Sequence, residues 1–446
     1  MSLFLFGVPG LRRTSIAIAV LIAASVASVS CGNYNNSTSS SSQQSTSGLK
    51  FRAFVSNPLR PTANGGTTPV IEIVDALQDK LPGFAVSLSG ANPDPGLMAV
   101  SPNKKFTLVF SASNNAVTVI DNARESVVQS GSGALPSIAL AGFTQSMVVG
   151  PDNLTGYAAV PATPVVGQSP GAVEVLSLST ASIAATLPVS GARTVAGSHN
   201  GNRILVFGDA PDRVTVIAPS LLGTNTNPLT TVQDSVAFDH PVWGIFSSDD
   251  TTAYILNCGP ECGGSAASVT VFDLNTNTPG VSIPVNAATI GLLSGSTLYV
   301  AGTPPGIPCG PGTAATVCGT VNVVDLNSMT VTGSSVITDG FHHRMELGSN
   351  GQIFIGAKNC TNINTSASGS NAGEVRGCLS IFNTNNSTVV IPPEAGDVTG
   401  LQPITNRNVV YVIQQGELRI YDTTTDKLQG QQVDILGQAD DVKLVD

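Results

Sequence analysis

Met98-Ala-Val-Ser-Pro-Asn-Lys-Lys-Phe-Thr-Leu-Val-Phe110, followed at Ala116 by Ala116-Val-Thr-Val-Ile-Asp121, is the stretch that decides how this chain is read. Two apolar runs flank a Ser-Pro-Asn turn, and a third alternates apolar with polar residues until an Asp stops it. That is the pattern of short antiparallel strands joined by tight turns. Working outward, the third segment recurs as Val70-Ile-Glu-Ile-Val-Asp75, Ala172-Val-Glu-Val-Leu-Ser177, Arg213-Val-Thr-Val-Ile-Ala218 and Ser268-Val-Thr-Val-Phe-Asp273. It returns as Thr320-Val-Asn-Val-Val-Asp325, Leu379-Ser-Ile-Phe-Asn383 and Glu417-Leu-Arg-Ile-Tyr-Asp422, which makes eight copies. A spacing of about fifty residues lies in the range of propeller blades. The expectation is an all-β propeller of eight four-stranded blades, with seven as the alternative, spanning residues 50–446.

The repeats resemble the YVTN family of β-propellers, whose blades carry a Ser-Pro-Asn/Asp-Gly turn and a Val-x-Val-Ile-Asp strand. Ser101-Pro102-Asn103 and Val119-Ile120-Asp121 match best. Ring closure is also legible. The repeats begin at Phe51 with what reads as the second strand of a blade. Asp440-Asp-Val-Lys-Leu-Val445 reads as the innermost strand that completes it, hiding edges that an open array would expose. The Asp that ends most third strands is read as turn chemistry, its carboxylate accepting from backbone two residues on, as in Asp422 to Thr425.

Composition supports this frame. Of 446 residues only 11% are charged, while 46 Gly and 28 Pro supply turns. A net charge of −10, with no cluster of Lys or Arg after residue 50, leaves no electrostatic footprint for nucleic acid.

The first fifty residues read as an address and a tether. Arg12 and Arg13 precede an apolar run from Ile16 to Val29, too short for a comfortable membrane span, and small residues follow. Ser28-Val29-Ser30-Cys31-Gly32 resembles the lipobox of bacterial lipoproteins, in which the Cys is acylated, so Cys31 is the expected lipidation site. Ser28 stands where the lipobox favours Leu, and cleavage by an ordinary signal peptidase is the alternative. Ser37 to Gly48, nearly all Ser, Thr and Gln, reads as a flexible spacer. The expected division is signal peptide 1–30, lipid-anchored linker 31–49 and propeller 50–446. The location implied is the bacterial cell envelope, exported and membrane-anchored on the periplasmic or cell-surface side.

The remaining six cysteines fall in three local pairs, Cys258 with Cys262, Cys309 with Cys318, and Cys360 with Cys378. Each pair lies between the second and third strands of one blade, in three consecutive blades, and is expected to be a disulfide. Zinc is the rival reading, but no pair has a His at ligand spacing.

In a four-stranded meander the loops between strands two and three open on the same rim as the links between blades. The starts of the innermost strands share that rim, and they hold the least ordinary polar residues. These are Asp239-His240-Pro241-Val-Trp243 and Gly340-Phe-His342-His343-Arg344, aligned with Asp94, Arg193, Asp440 and Asp441. His240, Trp243, His342, His343, Arg344 and Arg193 are therefore the candidate ligand-binding residues. Such a ring admits a divalent metal or an anionic ligand, although no cofactor is expected and no metal-ligand set can be named. Alternation sends His342 and His343 to opposite sides of a strand.

No Gly-x-Ser-x-Gly elbow, His-Glu-x-x-His or Cys-x-x-Cys-His occurs, so no catalytic set is assigned. A binding or scaffolding disc, meeting a protein, glycan or small ligand through its loop-rich face, is favoured over an enzyme. The alternative is a lactonase-like hydrolase at the mouth of the central channel, because propellers similar to this one include sugar lactonases. A redox protein is a third reading.

Overall fold

The computed structural model describes residues 46–128, 137–306, 317–361, 363–364, 374–375 and 377–446. The signal-peptide and linker assignments, Cys31 and Cys309 lie outside the described residues, apart from the linker's last few positions.

Eight antiparallel four-stranded units make the ring, and the eight-bladed reading holds over the seven-bladed one. Seven blades run in simple meander order from an innermost to an outermost strand, such as Pro241–Phe246, Thr252–Asn257, Ser268–Asp273 and Thr278–Pro284. The eighth is composite. Arg52–Pro61, Thr67–Asp75 and Ala85–Ser87 supply three strands, and the chain's other end, Val442–Leu444, supplies the innermost. Its register pairs Ala53 with Leu444 and Val55 with Val442.

Burial explains why the second and third strands were the readable ones. Phe106–Ser111 and Val409–Gln414 are buried at every position, and the third strands nearly so, because neighbouring blades cover both faces. Outermost strands such as Thr330–Ile337 are mostly open to solvent and vary freely in sequence. Two embellishments were not expected. Ile138–Ala139 extends the outer edge of the second blade by pairing with its third strand, and a two-stranded ribbon, Ile363–Asn364 with Glu374–Val375, sits in the Cys360–Cys378 loop.

The polar residue in the middle of the third strand turns out to be buried in seven blades, Arg419 of the last being partly open, and in several blades it ties down the incoming link of its own blade. Glu174 Oε1 accepts from Ala141 N at 3.1 Å, Thr270 donates to Ala237 O at 2.5 Å, and Ser380 Oγ accepts from Thr338 N at 3.0 Å. These contacts satisfy backbone groups that the turn from blade to blade would otherwise leave unpaired.

The Asp residues that end third strands act as the turn chemistry anticipated. Asp422 Oδ1 accepts from Thr424 N and Thr425 N at 2.7 and 3.0 Å, and Asp273 from Asn275 N and Thr276 N at 2.8 and 2.9 Å. Asp75 and Asp325 repeat the arrangement. These hydrogen bonds hold the Asp273 and Asp325 carboxyls below the usual carboxylate range. Four residues beyond each Asp the backbone turns left-handed, at Asp79, Asn277, Met329 and Asp426.

Candidate functional site

Described residues of the loops that follow the second strands of blades five, six and seven meet at one cleft, lined by Glu261, Thr303, Val317 and Thr361. Cys258–Cys262 staples the first, with Cα atoms 5.8 Å apart, and Cys360–Cys378 the third, at 5.5 Å. Cys318, in the second, is also disulfide-bonded. Closing such loops stabilises a fold by about 2–3 kcal/mol each in the chain-entropy account. A Cys360→Ser/Cys378→Ser variant is therefore expected to lose about that much in denaturant titrations. An unchanged midpoint would show the bridge to be energetically idle.

The first stapled loop is built on Asp239. Its carboxylate accepts from Ser265 N, Ser265 Oγ and Ala266 N at 2.8, 2.7 and 2.8 Å, and meets His240 Nδ1 at 2.9 Å. Burial opposes the charge, but His240 and these donors outweigh it and hold Asp239 far below the ordinary range. His240, left-handed at φ 58°, is thus committed to shaping the loop. Gly259 is required here, since a Cβ would lie 2.3 Å from the Ala266 carbonyl carbon.

The other expected site residues part company. Arg193 pairs with Asp209 on the surface, both about half exposed. Trp243 is half-buried against two apolar clusters that include Tyr254 and Leu298, and Ile290 and Tyr299. His342 is wholly buried, its Nδ1 3.4 Å from Thr303 Oγ1, against Gly319, where a Cβ would come within 2.6 Å of the ring. Burial pulls its pKa down to about 4, so the ring is neutral.

His343 goes the other way, as the alternation argument requires, at a bulge between the paired positions His342 and Arg344. Its ring stacks on Phe341 with centroids 6.3 Å apart, and neither ring nitrogen has a hydrogen-bond partner. Burial first, then the charges of Arg344 and Lys358, push its pKa down to about 2. Arg344 donates to Thr399 O at 3.1 Å and to His343 O at 3.4 Å, both backbone oxygens.

Sequence reasoning passed over Glu261, Asp339 and Lys358. Glu261 lies inside the shortest stapled loop and lines a cleft of about 330 Å³ with Thr303, Val317, Asp339, Gly340, Phe341 and Thr361. Its Oε2 accepts from Thr303 N at 2.7 Å, and burial lifts its pKa to about 7. Asp339 accepts from Thr361 N at 2.9 Å, which joins the first and third stapled loops to one cleft. The signal available was the odd acid in Gly-Pro-Glu, but its inward direction is set by packing that no repeat encodes.

Glu261 makes stability depend on pH. Folding raises this carboxyl above its ordinary 4.5, so the folded chain holds the proton more tightly than the unfolded chain. The penalty is absent below about pH 4.5 and complete above about pH 7. Glu261→Gln, whose amide oxygen still accepts from Thr303, is expected to gain about 1–2 kcal/mol over the parent at pH 8 and nothing at pH 4. Parallel stability curves for the two proteins across that window would contradict the assignment.

Among the described residues no three His, Cys, Asp or Glu side chains converge as a metal-ligating group. The expected ring of histidines therefore separates into a loop brace at His240, a core residue at His342 and, at His343, a ring buried against Phe341.

No family model matches this sequence, and no curated protein matches it. Solved structures match the fold. Dihydro-heme d1 dehydrogenase NirN, in complex with DHE, superposes with a TM-score of 0.59 at 12% identity, over 92% of this chain and 78% of that one. Kuenenia stuttgartiensis hydrazine synthase superposes at 0.53 and 13% identity, over 76% of this chain and 95% of that one. Likeness at this identity defines the class, an eight-bladed β-propeller. It carries no activity across, because one fold hosts many unrelated sites.

Proposed function

We propose that this chain is an exported, lipid-anchored binding propeller of the YVTN type, whose rim of stapled loops is its recognition face. The observation that carries the reading is topological. The chain enters the ring at Ser47 and Arg52, which contact Glu125 and Asp446. Glu125 belongs to a turn between third and fourth strands, and Asp446 follows the innermost closing strand, so both lie on the rim opposite the stapled loops. A lipid at Cys31 and a spacer through Gly48 would then hold the turn-rich rim toward the bilayer and present the stapled rim outward. The Cys258–Cys262 and Cys360–Cys378 bridges cross-link two of these loops, and cross-linking lowers the entropy lost when a protein, glycan or small ligand docks.

Two measurements test this in cells that express the full chain. Labelled palmitate is expected to enter the parent and not Cys31→Ala, which should leave the membrane fraction. A photo-crosslinking residue at Thr361 is expected to yield a discrete adduct, whereas one at Thr276, on the opposite rim, is not. Adducts from both positions alike, or from Thr276 alone, would remove the stapled rim from its role, and an unlabelled parent would remove the tether.

A further inference from the structure

We propose that Arg344 and Lys358, at the channel mouth beside the stapled loops, form a binding site for the oxyanion of a small ligand, a carboxylate or a phosphate. The inference goes beyond the recognition face, because it rests on side chains of the ring itself. Phe341 pairs with Lys358 and Arg344 with Gly356 across the two inner strands of blade seven, which puts both cations on one ladder near the rim. Lys358 is partly open to solvent, and its backbone pairs with Phe341 while its ammonium makes no side-chain hydrogen bond or ion pair among the described residues. Arg344 spends its donors on two backbone oxygens and leaves Nη2 unengaged among the described residues. The two charges depress each other's neighbour His343 and crowd each other, since Arg344 lowers the Lys358 pKa after burial does.

Carboxylates surround this pair, and the charges of Asp397, Asp441 and Asp440 pull the Lys358 pKa back up in part. Asp441 accepts from Met98 N and Val442 N at 2.9 Å each, and Asp397 from Asn359 N at 2.7 Å. Asp440 accepts from Gln438 Nε2 at 2.8 Å, and burial pushes its carboxyl up. Glu346 on the same strand is pushed up by burial as well. These acids offset part of the positive charge, while the Arg344 donors go to backbone oxygens and not to them. A guanidinium fork with a mobile ammonium beside it is the donor set that takes a carboxylate or phosphate.

His343 reports on the site by proximity: it sits at the bulge beside Arg344, its ring stays neutral at pH 7, and an anion on the two cations changes the field at its nitrogens. The chain has four histidines, so spectra of the full chain labelled with ¹⁵N-histidine can follow it at fixed pH 7. Titration with sodium benzoate or with inorganic phosphate is expected to move the His343 signal, and uncharged benzamide is expected to leave it in place. A response to benzoate alone identifies a carboxylate site, and to phosphate alone a phosphate site. Affinity should fall by about tenfold in Lys358→Gln and further in Arg344→Gln/Lys358→Gln. Lys358→Gln removes no contact of the fold, and unchanged His199 and His240 signals verify that each variant is folded. No movement of His343 with either anion, an equal response to benzamide, or a response that survives loss of both cations would overturn the site.

Discussion

Deletion of residues 437–446 is expected to abolish cooperative unfolding and leave a protein that aggregates. The segment is small, yet it is the innermost strand of the blade that joins the chain's two ends. Val442 and Leu444 are 0% and 2% exposed and pack with Tyr411 and Ile413 of the last blade. Val445, 1% exposed, packs the other way, with Phe54, Met98 and Val109. The three side chains bury about 5–8 kcal/mol of apolar contact, against a total stability of about 5–15 kcal/mol for a folded domain. The deletion also removes Asp446, whose carboxylate takes Arg52 Nε and Nη2 at 2.7 and 2.6 Å, and so leaves Arg52 with Glu125 and the Asn122 carbonyl as its remaining side-chain partners. A strand edge is opened at Ala53 to Val55, which is a template for pairing with another chain. Calorimetry and light scattering on the truncated protein decide the matter. A single transition within a few degrees of the parent's, from a monomer, would mean that the other blades hold the ring without its clasp.

That clasp was legible because it is a one-dimensional feature: an unpaired apolar strand at one end of the chain and a blade short of a strand at the other. The same holds for the third strands, whose burial on both faces forces Val or Ile into every copy. Sites are another matter. His342 and His343 are neighbours in sequence, and strand alternation alone sent their rings to different surroundings. What alternation could not supply was the environment: Gly319 and Thr303 around His342, Lys358 and Arg344 around His343. His240 looked like a ligand because it follows an Asp at a rim, and that Asp in fact uses it to brace a loop. Glu261 and Lys358 were invisible for the opposite reason, each being an ordinary polar residue whose meaning comes from a neighbouring blade. Inter-blade geometry depends on all eight units at once and leaves no local pattern to read.

The second large effect belongs to the other latch across the same seam. Asp79, in the turn after the third strand of the first blade, reaches the last blade. There its oxygens take Arg407 Nη1 and Nη2 at 2.5 and 2.6 Å and the Tyr411 hydroxyl at 2.5 Å. Asp79 is 7% exposed and Tyr411 not at all. Arg407 also donates to Ala76 O at 2.6 Å, so one guanidinium holds both the side chain and the backbone of that turn. Removing only the anion leaves a largely buried cation and a buried hydroxyl with no acceptor, a defect that costs about 3–5 kcal/mol. Asp79→Ala is therefore expected to lose about that much stability, more than Arg407→Met or Tyr411→Phe, because each of those leaves Asp79 one good partner. Replacing Asp79 and Arg407 together by apolar residues should cost less than Asp79→Ala alone, since neither charge is then stranded. Denaturant midpoints of the two single variants and the double variant close the cycle. Strict additivity would show that the two charges act separately and that the seam is held by the closing strand without this ion pair.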